Sequence, residues 1–275
     1  ASSRTFQEVI ACKLAGIPTV GILHGAASRH YNVYDFMPEY DGDKHLGLDS
    51  YGVWSEGWRN YYLQYGRVYG PKHLVISGPM RPIQGKTPTY QAQDTLKAET
   101  PVKVLFVPGE LSVPQEILPY INALMKDTAV SFYMTFRPYR DAFEGWLRQH
   151  DPGLIERVGL ERIFRGRRIQ EDIAECDVVV GSYSTAILEG LLLLKPVVFF
   201  QTLKWGDYFG MGGDPFAHAF FAENPGELLS CVKKSRSVSL KELRRLQERF
   251  FGDPYKNGSA WVVEQLAALA KSKRS

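Results

Sequence analysis

Through its second half the chain is a run of short apolar strands separated by helices, and that alternation constrains its fold more than any other feature. Val102 to Val107 (VKVLFV), Val130 to Phe136 (VSFYMTF), Asp177 to Val180 (DVVV) and Pro196 to Phe200 (PVVFF) are short runs rich in β-branched and aromatic residues. Between them, Pro114 to Met125, Arg140 to His150 and Ala186 to Leu194 carry apolar residues at helical spacing. Strands that are apolar on both faces are covered on both sides, and strands alternating with helices pair in parallel through crossovers. The pattern predicts a doubly wound α/β sheet with its ligand crevice at the carboxyl ends of the strands.

The first half has the same texture. Phe6, Val9, Ile10, Cys12 and Leu14 fit a helix ending at Gly16, and Ile17 to Leu23 (IPTVGIL) a buried strand that empties at His24-Gly25. Ser50 to Trp54 and His73 to Ser77 (HLVIS) are further strands, with a helix over Glu56 to Gly66. A Rossmann-like domain that opens on a loop and helix is expected to be a truncated one, with earlier strands in the parent chain. Pro82, Gly85 and Pro88 mark a linker between Met80 and Pro101. Two Rossmann-like domains follow, a partial one over 1–90 and a complete one over 91–275, closed by helices at Leu240 to Phe251 and Trp261 to Lys271.

Composition removes several function classes. The 275 residues are 44% hydrophobic and 23% charged, so the chain is neither fibrous nor disordered. A net charge of +3 is far below the footprint of a nucleic-acid binder. Three widely spaced cysteines, Cys12, Cys176 and Cys231, form neither a disulfide framework nor a metal motif, which fits a reducing cytoplasm. The richest apolar stretch, Ala186 to Phe200, is interrupted by Glu189, Lys195 and Pro196, so any membrane contact is peripheral.

The residues that can carry chemistry gather where strands end. In Val178 to Glu189 (VVVGSYSTAILE) a strand turns through Gly181, Ser182 and Ser184 directly into a helix. Free N–H groups and the helix dipole favour a phosphate there, and the hydroxyls of Ser182, Ser184 and Thr185 add donors; plain N-capping explains the same residues. Glu189, one turn on, can accept two ribose hydroxyls or be solvated. Arg137-Pro138-Tyr139-Arg140 puts two guanidinium groups after one strand, as phosphate ligands or as surface residues. Pro108-Gly109 ends another, where glycine lets backbone approach a ligand or simply makes a turn. Three such segments on one sheet should converge on one rim.

His24 ends the first strand beside a polar loop. An imidazole, with an ordinary pKa of about 6.5, suits a general base for a hydroxyl, although a loop histidine can equally be structural. Asp35, Glu39, Asp41, Asp43 and Asp49 offer carboxylates nearby, one of them as base or nucleophile, or all of them as solvated loop residues. Asp41-Gly42-Asp43 matches a D-x-D metal pattern but follows no apolar strand and is expected to be a turn; His30 and His45 have no ligand spacing, so no metal is expected. The chain has no G-x-G-x-x-G, P-loop or G-x-S-x-G motif. Gly210 to Gly213 (GMGG) is expected to be a loop over the ligand rim. Lys233, Lys234, Arg236, Lys241, Arg244, Arg245 and Arg249, with Lys271, Lys273 and Arg274, form either a solvated helix face or a peripheral contact with anionic lipid.

Four segments together resemble the GT-B nucleotide-sugar transferases of bacterial surface polysaccharides, including the capsule and Kdo transferases and the CDP-glycerol glycerophosphotransferases. They are IPTVGILHG at 17–25, GVWSEGWRNYYLQYG at 52–66 with LVISGPMRP at 74–82, ECDVVVGSYSTAILEGLLLLKPVVFF at 175–200, and DPYKNGSAWVVEQL at 253–266. The resemblance implies a donor on the C-terminal domain and an acceptor on the N-terminal one. It implies that Ser182, Ser184 and Thr185 bind donor phosphate, that Glu189 binds ribose, and that His24 serves catalysis or faces the acceptor. Arg137 stands where such proteins often place a His before Pro. The expected function is transfer of a sugar or glycerophosphoryl group from a nucleotide-activated donor, itself a substrate, to a glycan or lipid-linked acceptor, with no cofactor and no metal. A sugar-nucleotide epimerase or hydrolase, and a non-catalytic nucleotide- or glycan-binding module, are the alternatives.

Overall fold

A computed structural model describes residues 3–28, 47–83, 100–109 and 112–272. The chain divides into two units, one of 1–87 with 245–275 and one of 88–244. The C-terminal stretch, expected with the second domain, therefore belongs to the first.

In the first unit, α1 (Ser3–Leu14) precedes β1 (Val20–Ile22), β2 (Ser50–Val53), α2 (Glu56–Tyr65) and β3 (Leu74–Ile76). Among the described residues its sheet is parallel, in the order β1-β2-β3. Ser55 caps α2 by accepting the Trp58 N–H at 3.2 Å, and Glu56 lies in the first turn, where the helix dipole favours a carboxylate. Tyr51, Trp54, Trp58, Tyr62 and Tyr69 are core: Tyr51 stacks on Tyr69, meets Tyr62 edge-on, and Trp54 packs on Trp58.

The second unit runs β4 (Val102–Val107), α3 (Pro114–Met125), β5 (Val130–Phe136), α4 (Ala142–His150), α5 (Pro152–Val158), β6 (Ile163–Arg165), α6 (Ile169–Ala174), β7 (Val178–Gly181), α7 (Thr185–Leu192), β8 (Val197–Phe200), α8 (Ala217–Phe220), β9 (Phe221–Ala222) and α9 (Pro225–Ser235). Its parallel strands lie in the order β6-β5-β4-β7-β8-β9. Val104, Leu105, Phe106 and Val178 to Val180 are fully buried, as strands with helices on both faces must be. One core joins Val104, Phe106, Phe132, Met134 and Val180 to Ile117, Ile121, Leu124, Phe143, Leu147 and Val232 from the helices.

The last two helices, α10 (Leu240–Phe251) and α11 (Gly258–Ser272), bring the chain back to the first unit. Phe251 stacks on Trp54 and Phe250 packs on Trp58. Ser55 Oγ donates to the Arg249 carbonyl at 2.6 Å, and α11 packs on β1. At the start of α11, the Gly258 N–H donates to the Pro79 carbonyl at 3.0 Å. A methyl at Gly258 would come within 2.5 Å of the Gly78 carbonyl oxygen, a backbone atom with nowhere to yield. Gly258→Ala is accordingly expected to destabilise the first unit by about 2 kcal/mol. Urea unfolding followed by tryptophan fluorescence checks this, and an unmoved midpoint contradicts it.

Candidate functional site

The order of strands in the second unit reverses between β4 and β7. An open parallel sheet takes its ligand in the crevice at that point, outside the carboxyl ends of the strands. Val107, the last residue of β4, is in register with Gly181, the last of β7. The two loops that follow, starting at Pro108 and at Ser182, thus leave the sheet side by side.

The loop after β7 leads into α7. Ser184 is its N-cap, with Oγ accepting the Ala186 N–H at 3.3 Å, and Thr185 is its first residue. Capping uses a lone pair and leaves the Ser184 hydroxyl proton free to be donated, so the cap and the phosphate ligand are compatible roles for one residue. Ser182 is buried, while Ser184 and Thr185 are half-buried. Glu189 is half-buried too, and accepts a hydrogen bond from Gln170 Nε2 at 3.0 Å. That bond ties α7 to α6 and fixes the carboxylate one turn above the helix N-terminus.

The loop after β4 holds Pro108 and Gly109, both buried. The Gly109 N–H donates to Ser112 Oγ at 3.0 Å. The space left by the missing side chain is taken up by Tyr183, whose ring carbon and hydroxyl a methyl there would strike.

Arg137 and Arg140 follow β5, the neighbour of β4, and both are exposed. Asp141 organises their turn: one carboxylate oxygen accepts the Arg137 N–H at 3.2 Å, the other the Glu144 N–H at 3.0 Å, which also caps α4. Arg140 has a φ of 28°, on the left-handed side that a Cβ disfavours. Such strain concentrates at functional turns.

Several residues of this rim carry no signal in the sequence. Asp172, almost fully buried, accepts from Thr135 Oγ1 at 2.9 Å, and burial pushes its carboxyl up. Burial works against the charge of Glu144 too, but hydrogen bonds from Arg165 and Arg148 outweigh it and hold its carboxyl down. After β8, Tyr183 meets Trp205 at 5.3 Å and Tyr208 at 6.0 Å between ring centres. Only an aromatic among serines at position 183 hinted at this cluster. In the same loop the Asp207 carboxylate accepts the N–H groups of Met211 and Gly212 at 2.8 and 2.7 Å. The GMGG turn lies between β8 and α8, and its Met211 and Gly212 N–H groups already serve an internal anion.

In the first unit, His24 lies two residues beyond β1 and is exposed. Asp35 and Glu39, with His30, Asp41, Asp43 and His45, lie outside the described residues. Asp49 does not remain a candidate. It accepts from the Thr19 N–H at 2.7 Å, from Thr19 Oγ1 at 2.8 Å and from Lys13 Nζ at 2.8 Å. Burial opposes its charge, yet these bonds prevail and lower its pKa to about 2, so it is a structural anion pinning β1 to the segment before β2.

Among the described residues no group of three or more His, Cys, Asp or Glu is arranged to hold a metal ion, and no helix is long and apolar enough to cross a membrane. The three cysteines are free thiols; burial pushes Cys176 up to about 12, which leaves it unreactive. Of the basic cluster, Lys233 pairs with Asp127 at 3.2 Å, as a solvated face does.

The sequence matches no protein-family profile and no curated protein. Its fold does match solved structures. Anabaena HepE in complex with UDP-glucose aligns with a TM-score of 0.56 at 16% identity, over 97% of this chain and 77% of that one. The spinosyn rhamnosyltransferase SpnG aligns at 0.54 and 11% identity, over 94% of this chain and 70% of its own. UDP-GlcNAc 2-epimerase from Neisseria meningitidis, bound to UDP-GlcNAc, aligns at 0.54 and 16% identity, over 97% and 74%. At such identities the likeness is one of fold: the chain is an α/β protein of two Rossmann-like units, the fold of the GT-B glycosyltransferases.

Proposed function

We propose that the chain is a glycosyltransferase that moves a sugar, or a glycerophosphoryl group, from a nucleotide-activated donor to a surface-polysaccharide or lipid-linked acceptor, without a metal. The observation that carries this is the register of Val107 with Gly181, which sets Gly109 beside Ser182, Ser184 and Thr185 where the strand order reverses. The likeness to HepE, solved with UDP and with UDP-glucose, supports a uridine donor.

In this reading the donor's phosphates lie against the N-terminus of α7 and its hydroxyls, and Glu189 takes the ribose. An acceptor hydroxyl attacks the anomeric carbon, the bond from that carbon to the phosphate oxygen breaks, and negative charge develops on the departing nucleotide. The dipole of α7, the hydroxyls at its N-terminus and the guanidinium groups of Arg137 and Arg140 stabilise that charge, which is the role a metal plays elsewhere. His24 receives the proton of the acceptor hydroxyl, with Asp35 or Glu39 as substitutes. A lipid-linked acceptor would hold the reaction at the cytoplasmic face of a membrane, where the basic residues near the C-terminus would meet anionic lipid.

Calorimetric titration with CMP, CDP, UDP, GDP and dTDP tests the donor site. One base is expected to bind clearly better than the rest, with UDP the first choice; no binding to any of them overturns the assignment. The likeness to the Neisseria epimerase, with a TM-score equal to that of SpnG, favours a second reading in which a sugar nucleotide is epimerised or hydrolysed. Nucleotide release that requires a glycan acceptor supports transfer, release without acceptor supports the second reading, and binding without release means a binding module.

A further inference from the structure

We propose that Tyr183 is a latch on the donor site, closed in this structure, which must leave Gly109 before a nucleotide's phosphates can reach that backbone. The inference rests on the donor-site reading above and adds a gate to it.

A glycine at the end of β4 has two uses, to let a ligand approach or to let another group pack there. Here the second is realised, because Tyr183 lies where a Cβ on Gly109 would be. The tyrosine hydroxyl is 3.3 Å from Ser112 Oγ, which accepts the Gly109 N–H at 3.0 Å. Tyr183, Ser112 and Gly109 therefore form a closed chain from the β7 loop to the β4 loop, across the point where the strand order reverses. The N–H that would serve a phosphate is spent on Ser112, and the open face of Gly109 is covered by a phenol.

The latch is built to move. Tyr183 is half-buried, between the buried Ser182 and the cap Ser184, so its ring can rotate away while the backbone of α7 stays in place. Its ring also meets Trp205 and Tyr208, which are side chains of the loop after β8. A ligand that binds only the open state has its apparent dissociation constant raised in proportion to the rarity of that state.

The test titrates wild type, Tyr183→Ala and Ser112→Ala with CMP, CDP, UDP, GDP and dTDP, with folding of each variant checked by circular dichroism. Tyr183→Ala is expected to bind the preferred nucleotide about tenfold tighter, through a faster association rate in stopped flow. Ser112→Ala, which keeps the ring but cuts its tie to Gly109, is expected to gain about threefold. If wild type binds a nucleotide and Tyr183→Ala binds it equally or more weakly, the ring is part of the binding surface and the latch is wrong, while the donor site stands. If neither wild type nor either variant binds any of the five, the donor-site reading falls and the latch with it.

Discussion

Glu189→Ala is expected to weaken nucleotide binding by more than tenfold, equivalent to at least about 1.4 kcal/mol. The carboxylate is half-buried and held by Gln170 Nε2, so it is oriented before any ligand arrives and loses little freedom on binding. A hydrogen bond to a charged group contributes roughly 1.5–3 kcal/mol, and truncation also strands the Gln170 amide. Glu189→Gln, which keeps one acceptor, should fall between wild type and Ala. Calorimetry gives the answer directly, and an unchanged dissociation constant would remove Glu189 from the ribose site.

His24→Ala is expected to reduce turnover by about 10²–10⁴-fold, the span over which positioned general bases act, while the dissociation constant for nucleotide stays the same. The separation follows from the fold: His24 belongs to the first unit, and the proposed donor ligands all belong to the second. Loss of kcat with donor affinity intact is the signature of a group that acts on the acceptor. Full activity in the variant would pass the role to Asp35 or Glu39.

The strands were largely legible because buried parallel strands announce themselves. Val102–Val107 and Val130–Phe136 have the predicted limits, and β2, β3, β7 and β8 differ only at their ends. β6 and β9 were not legible, since runs of three and two residues at or near the sheet edge are too short to show a period. α9 did have a signature: Asn224 caps it, accepting the Glu227 N–H, and Pro225 opens it. At the site, the serines and Glu189 could be picked out because caps and carboxylates have local meaning. Tyr183 and Ser112 could not, because their role arises only when loops some seventy residues apart in sequence, as their separation of 71 shows, are laid together by β4 and β7. The same holds for Asp49, whose use as an internal anion depends on Thr19 and Lys13, 30 and 36 residues earlier in the sequence.

The return of α10 and α11 to the first unit has a consequence for how the protein is made. Residues 88–244 form one uninterrupted stretch, so that unit has its whole sequence once Arg244 has left the ribosome. The unit that starts first cannot finish then, because Phe250, Phe251 and the helix that packs on β1 have still to be synthesised. Trp54 and Trp58 wait without Phe251 and Phe250 while the later unit closes. The unit that contains β1 to β3 is thus completed after the one that follows it in sequence, and its apolar surface stays exposed for longer during synthesis.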